Sequence, residues 1–162
     1  MFGFKFNTTI IKIFLLLTII TFFLPLFSIS CRNQEITLSG FELSFGKGIG
    51  SYRQDGNIFA GLIILPSAAL LALSFFIYKT KKILLFKTVF LIIPIFNIFA
   101  IFVLKAIVKA AILKKIAEFD VNSFFANLVN KSMNIKYGFV LYIIFNAVVF
   151  VFASINYFVK RE

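Results

Sequence analysis

The side chains able to do chemistry are few and scattered. The chain holds one cysteine, Cys31, and no histidine. Without His the usual Ser–His–Asp and Cys–His arrangements cannot be assembled, and most zinc sites lose a preferred ligand. Glu118 and Asp120 stand two residues apart, shortly after the pair Lys114 and Lys115. The lysines could touch anionic lipid headgroups, and the carboxylates could hold a divalent cation on a lipid phosphate. A solvated helix end explains the same four residues more plainly. Glu35 and Glu42 have no evident partner in the sequence. Gly46-Lys47-Gly48-Ile49-Gly50 lacks the G-x-x-x-x-G-K-[ST] spacing of a phosphate loop and reads as a linker. These residues assemble no catalytic set, no metal site and no cofactor site, so the chemistry leans away from an enzyme.

Three asparagines lie inside long apolar runs: Asn97, Asn146 and Asn156. In hydrocarbon such side chains bond across helix interfaces, each bond contributing about 0.6 kcal/mol on average. Helix-to-helix bonding is one reading of them. A ligand or ion site near Asn97 and Asn146 is the other. No Asp, Glu, Lys or Arg lies deep in an apolar run, since Lys12 and Lys87 are near the ends. That speaks against proton-coupled transport, voltage sensing and acid–base catalysis within a membrane.

The elements that would position these residues follow from hydropathy. Of the 162 residues 61% are hydrophobic and 14% charged, and mean hydropathy is +1.03. Soluble domains average about 25% charged residues. So much apolar surface needs lipid as its solvent, and backbone groups in lipid must be paired within each segment. The apolar runs are continuous and about twice the length of barrel strands, so the expectation is helices. Spans are predicted at about residues 10–27, 58–78, 83–104 and 139–159, with Asn57 or Asp55 capping the second. Pro66 and Pro94 should kink their helices. The short Lys79-Thr80-Lys81-Lys82 connection makes the second and third spans antiparallel neighbours. Residues 105–119 should prolong the third helix, and Asp120 should start a short surface helix carrying Val121, Phe124, Phe125 and Leu128. The fold class is an all-α integral membrane protein, a single domain forming a four-helix transmembrane bundle.

Net charge is +11, from 17 Lys+Arg and 6 Asp+Glu. With the N-terminus inside, the inner segments 1–9, 79–82 and 159–162 carry six cations in 17 residues. The outer loops 28–57 and 105–138 carry nine in 64. Density places both termini in the cytoplasm, in a multi-pass protein of the cytoplasmic (inner) membrane. The expected partners are the bilayer and its anionic headgroups, with a protein partner or a second copy on the outer loops; no nucleic-acid module is evident.

Residues 26–31, LFSISC, follow an apolar run behind a basic start, which is the shape of a lipoprotein signal. On that reading residues 1–30 are removed and Cys31 is acylated. On the other the first run stays as a helix and Cys31 is a thiol at its outer end. The stretch Ile36–Phe45 alternates, with a phase shift at Ser39-Gly40, and predicts two short strands joined there as an extracytoplasmic β-hairpin cap. Pro25, Ser28, Ser30, Cys31, Thr37, Leu38, Ser39, Gly40, Phe41, Leu43 and Gly46 form a Pro…SxSC…TLSG[FY]xL pattern. Over residues 22–46 this resembles small bacterial multi-span membrane proteins of no assigned function. The resemblance implies a tethered outer loop over a four-span bundle. The expected function is a non-enzymatic structural or accessory subunit. The alternatives are a small transporter or lipid-handling protein using Asn97 and Asn146, a lipoprotein acylated at Cys31, and a lipid-modifying enzyme using Glu118 and Asp120.

Overall fold

The computed structural model describes residues 2–31, 34–49, 52–76, 83–118 and 133–158. Helix α1 covers Phe2–Thr21. It stops there although the apolar run continues, because Pro25 has no N–H to donate and forces the residue before it out of helical backbone. A tight last turn follows, with the N–H groups of Phe22, Phe23 and Leu24 bonded to the carbonyls of Ile19, Ile20 and Thr21. The expected end of the first span at residue 27 is therefore corrected. Pro25–Cys31 is strand β1, with proline at the first strand position, where a missing donor does least harm.

Strand β2, Gln34–Ser39, pairs antiparallel with β1, Ser28 opposite Thr37 and Cys31 opposite Gln34. The expected hairpin about Ser39-Gly40 is thus replaced by one whose first strand is β1. Gly40–Phe45 is not a strand but helix α2. Ser39 and Glu42 form a capping box: Ser39 Oγ accepts from the Glu42 N–H at 3.1 Å, and the Glu42 carboxylate accepts from the Ser39 N–H at 2.8 Å. The alternation of Phe41, Leu43 and Phe45 misled because it fits both periods over so short a stretch. In the helix Phe41 and Phe45, four apart, share the exposed face, and Leu43 is buried.

Gly46–Ile49 (β3) and Tyr52–Asp55 (β4) form a two-stranded hairpin where a linker was expected. Gly46, at φ 88°, makes the bend out of α2 in a region that L side chains rarely adopt. Asn57 then caps the next helix, its Oδ1 accepting from the Phe59 N–H at 3.0 Å, as the sequence suggested. That helix is broken into α3 (Ile58–Leu62) and α4 (Ile64–Phe76). The break falls at Ile63, directly after Leu62, whose carbonyl lies at i−4 from Pro66; the ring crowds that carbonyl and supplies it no N–H.

Helix α5, Ile83–Glu118, runs unbroken for 36 residues through Pro94. At about 1.5 Å per residue it is roughly 54 Å long, well beyond a ~30 Å hydrocarbon core. The predicted prolongation past residue 104 is present. The predicted surface helix at 121–128 lies outside the described residues. Strand β5, Met133–Ile135, was not anticipated; it pairs with the other edge of β1, Ser28 opposite Asn134, so the sheet order is β2-β1-β5. Helix α6, Tyr137–Phe158, closes the described chain.

Helix α1 packs against α4 and α6, and α5 packs against the same two. Among the described residues three segments are long and apolar enough to cross a membrane: Ile58–Phe75, Lys87–Ala111 and Tyr137–Tyr157. Large apolar side chains face outward along them, among them Leu65, Phe99 and Val151. Contiguous apolar surface of this kind is foreign to a water-facing protein and suits a multi-pass membrane protein. The two long loops of the sequence meet in one sheet at one end of the helices. Gly138 permits this: a Cβ there would lie 2.6 Å from the Pro25 carbonyl oxygen.

Candidate functional site

The helices carry two separate apolar clusters. One, at the sheet end, gathers Leu26, Phe27, Leu38, Ile101, Phe139 and Tyr142. The other gathers Ile11, Leu15, Leu70, Phe90, Val149 and Ala153. Between them α4, α5 and α6 each present one polar side chain, and all three are completely buried: Ser67, Asn97 and Asn146. Asn97 and Asn146, singled out in the sequence, are brought together.

Their hydrogen bonds define the sense of both amides. Asn146 Nδ2 donates to the Tyr142 carbonyl at 2.9 Å, and a carbonyl only accepts. Asn146 Oδ1 therefore faces Asn97, whose Nδ2 donates to it at 3.0 Å and to Ser67 Oγ at 2.8 Å. One amide group thus ties α5 to both α4 and α6. The cost appears on its other side: Asn97 Oδ1 is buried and has no hydrogen-bond partner among the described residues. An unpaired buried acceptor costs about 1–3 kcal/mol.

Tyr142 completes the layer. Its ring is buried, and its hydroxyl points toward the helix break, donating to the Ile63 carbonyl at a long 3.4 Å. Sequence reasoning missed Ser67 and Tyr142. The available signals were the polar residue directly after Pro66 and the four-residue spacing of Tyr142 and Asn146, which puts both on one helical face. Asn156 is buried too, but it stands ten residues beyond Asn146, roughly 15 Å along α6, and does not join the layer.

The other candidates are not drawn into this site. Cys31 ends β1 beside Gln34 in the sheet. Lys114, Lys115 and Glu118 lie in the last turns of α5, and Asp120 lies outside the described residues. Among the described residues no group of three or more Cys, Asp or Glu side chains could hold a metal ion. Glu35 finds a partner the sequence did not show: its carboxylate pairs with Lys136 Nζ at 2.5 Å, joining β2 to the residue after β5. The Lys136 ammonium holds the Glu35 carboxyl below its ordinary value. No family model matches the chain, and comparison with curated proteins and with solved structures returns no significant match.

Proposed function

We propose that the protein is a non-enzymatic multi-pass membrane protein, a structural or accessory subunit that binds a protein partner through its sheet end. The observation that carries this is the edge of β2. In the order β2-β1-β5 it has a strand neighbour on one side only among the described residues. An open edge offers backbone donors and acceptors to an extended segment of a partner. The burial of Leu26, Phe27 and Ser28 in β1 and the Glu35–Lys136 pair hold this edge in place before binding, which lowers the ordering cost of association.

In this reading α1 is the fourth span, giving a four-helix transmembrane bundle with the sheet as an extracytoplasmic cap. The density of cations favours cytoplasmic termini, and the resemblance over residues 22–46 favours a bacterial inner membrane. Retention of the first run fits the packing better than cleavage at Cys31. Leu15, Leu26 and Phe27 are core side chains, and removing residues 1–30 would strip all three. The intact mass of the purified protein decides between them: a chain beginning at acylated Cys31 would end the four-span reading.

The test of function is co-purification in mild detergent. A partner held by the native chain and lost on Ile36→Pro, with helix content unchanged, would support the proposal. A chain that purifies with no partner would sink it. A second reading, a small transporter or lipid-handling protein, draws on the unpaired Asn97 Oδ1. It requires a compound that raises the melting temperature of the native protein but not of Asn97→Leu.

A further inference from the structure

We infer that α2 is not part of a cap standing clear in water but a membrane-interface anchor, its Phe41 and Phe45 side chains seated among lipid acyl chains. This rests on the reading of the chain as a membrane protein, and goes beyond the partner-binding role.

The first apolar run does not finish as the helix it starts. That run continues to Phe27, but the helix stops at Thr21. Six apolar residues that would have carried α1 roughly 9 Å further turn aside instead. Leu26 and Phe27 go into the core. The outward face that the helix would have covered is taken over by another element. The Phe41 N–H donates to the Phe22 carbonyl at 3.2 Å, so α2 begins directly on the end of α1. The Phe23 ring stacks on Phe41 at 5.8 Å, and Phe41 meets Phe45 at 4.8 Å. The outward row Ile13, Leu16, Ile20 of α1 thus continues into an aromatic ledge without a polar gap.

The depth of the ledge follows from its neighbours. The Asn57 N–H donates to the Leu43 carbonyl at 2.7 Å, so α2 lies level with the first turn of α3. That turn opens the apolar segment Ile58–Phe75, and Ile58 and Phe59 are 75% and 61% exposed. Phe45 beside them is 69% exposed. The one charge of α2, Glu42, is turned back onto Ser39 by the capping box, leaving the outward face aromatic. Non-helical backbone is tolerated at such depth only when paired and covered; in β1, Phe27, Ser28 and Ile29 are paired on both sides, and Leu26, Phe27 and Ser28 are buried. Phenylalanines on the apolar face of an interfacial helix seat among the acyl chains just below the headgroups.

The chain has no tryptophan, so single Trp variants report without background. Phe41→Trp, Phe45→Trp and Phe23→Trp would be reconstituted in phosphatidylcholine vesicles whose acyl chains are brominated near the headgroup and, in a second set, near the bilayer centre. Phe99→Trp, on the outward face of α5, is the lipid-facing reference. The ledge residues should be quenched to within about twofold of the reference and shielded from aqueous iodide, with blue-shifted emission. Iodide-accessible, unquenched emission at the ledge beside a quenched Phe99→Trp would overturn the anchor while leaving the membrane reading intact. Shielding from both quenchers would overturn it in favour of a covering protein surface, such as a second copy. An unquenched Phe99→Trp would remove the membrane reading and the anchor together. Three ledge positions keep the test decisive if one variant does not fold.

Discussion

Asn97 Nδ2 donates to Asn146 Oδ1 at 3.0 Å, midway along two long apolar helices. The same nitrogen serves Ser67, and the same residue leaves its own Oδ1 unpaired. That asymmetry separates the two asparagines by mutation. Asn97→Leu removes its own stranded acceptor but strands another, Asn146 Oδ1, and takes the donor from Ser67 Oγ, so it should cost about 1–3 kcal/mol. Asn146→Leu leaves Asn97 Nδ2 its bond to Ser67 Oγ and strands no further acceptor, so its cost should stay nearer about 1 kcal/mol. Asn97→Asp turns an acceptor toward Asn146 Oδ1 and puts a charge in hydrocarbon, about 2.5–3.5 kcal/mol. Thermal unfolding in detergent reads the order; Asn146→Leu proving more damaging than Asn97→Leu would refute this account.

Ser39 starts α2 by accepting from the Glu42 N–H and receiving the Glu42 carboxylate in return. Ser39→Ala should cost about 1 kcal/mol, and Ser39→Thr much less. Hydrogen exchange would show the loss locally, with faster exchange over residues 41–45 and little change in α6.

Gly138 sits in the first turn of α6, where alanine would ordinarily stabilise by about 1 kcal/mol. Here a methyl group meets the Pro25 carbonyl oxygen at 2.6 Å, and backbone cannot swing aside as a flexible side chain can. The sign should reverse, with Gly138→Ala costing about 1–3 kcal/mol. A neutral or stabilising Gly138→Ala would mean that β1 does not approach α6 this closely.

The Glu35 carboxyl is held below 4.5 by Lys136 when the chain is folded. A lowered folded value means the unfolded chain binds the proton more readily. The contribution is therefore complete above the unfolded value and is lost as pH falls from 4.5 through the lower folded value. The pair is exposed, so the effect is small and should shrink with salt. Melting temperature followed across that acid window should lose this component in Glu35→Gln and in Lys136→Met alike.

The unbroken run of apolar residues in α5 and α6 already dictates long helices, because period and composition act locally and leave no backbone alternative in lipid. The same holds for the Asn57 cap, the extension of α5 past Leu104, and the polar residues Asn97 and Asn146 as the exceptions within their helices. Even the start of α2 was legible in Ser39-x-x-Glu42, had the capping signal been weighed above the alternation of three apolar residues. What the chain could not disclose by itself is pairing. Which strand meets Gln34–Ser39 depends on whether α1 ends at Thr21 or Phe27, and the fate of Pro25 is settled by the contact it makes with Gly138. Residues Met133–Ile135 become a strand only because β1 offers an edge. Ser67, Asn97 and Asn146 become one layer only because three helices from distant parts of the chain cross at that height, and the cost of an unpaired amide in a dry interior selects the crossing that bonds them.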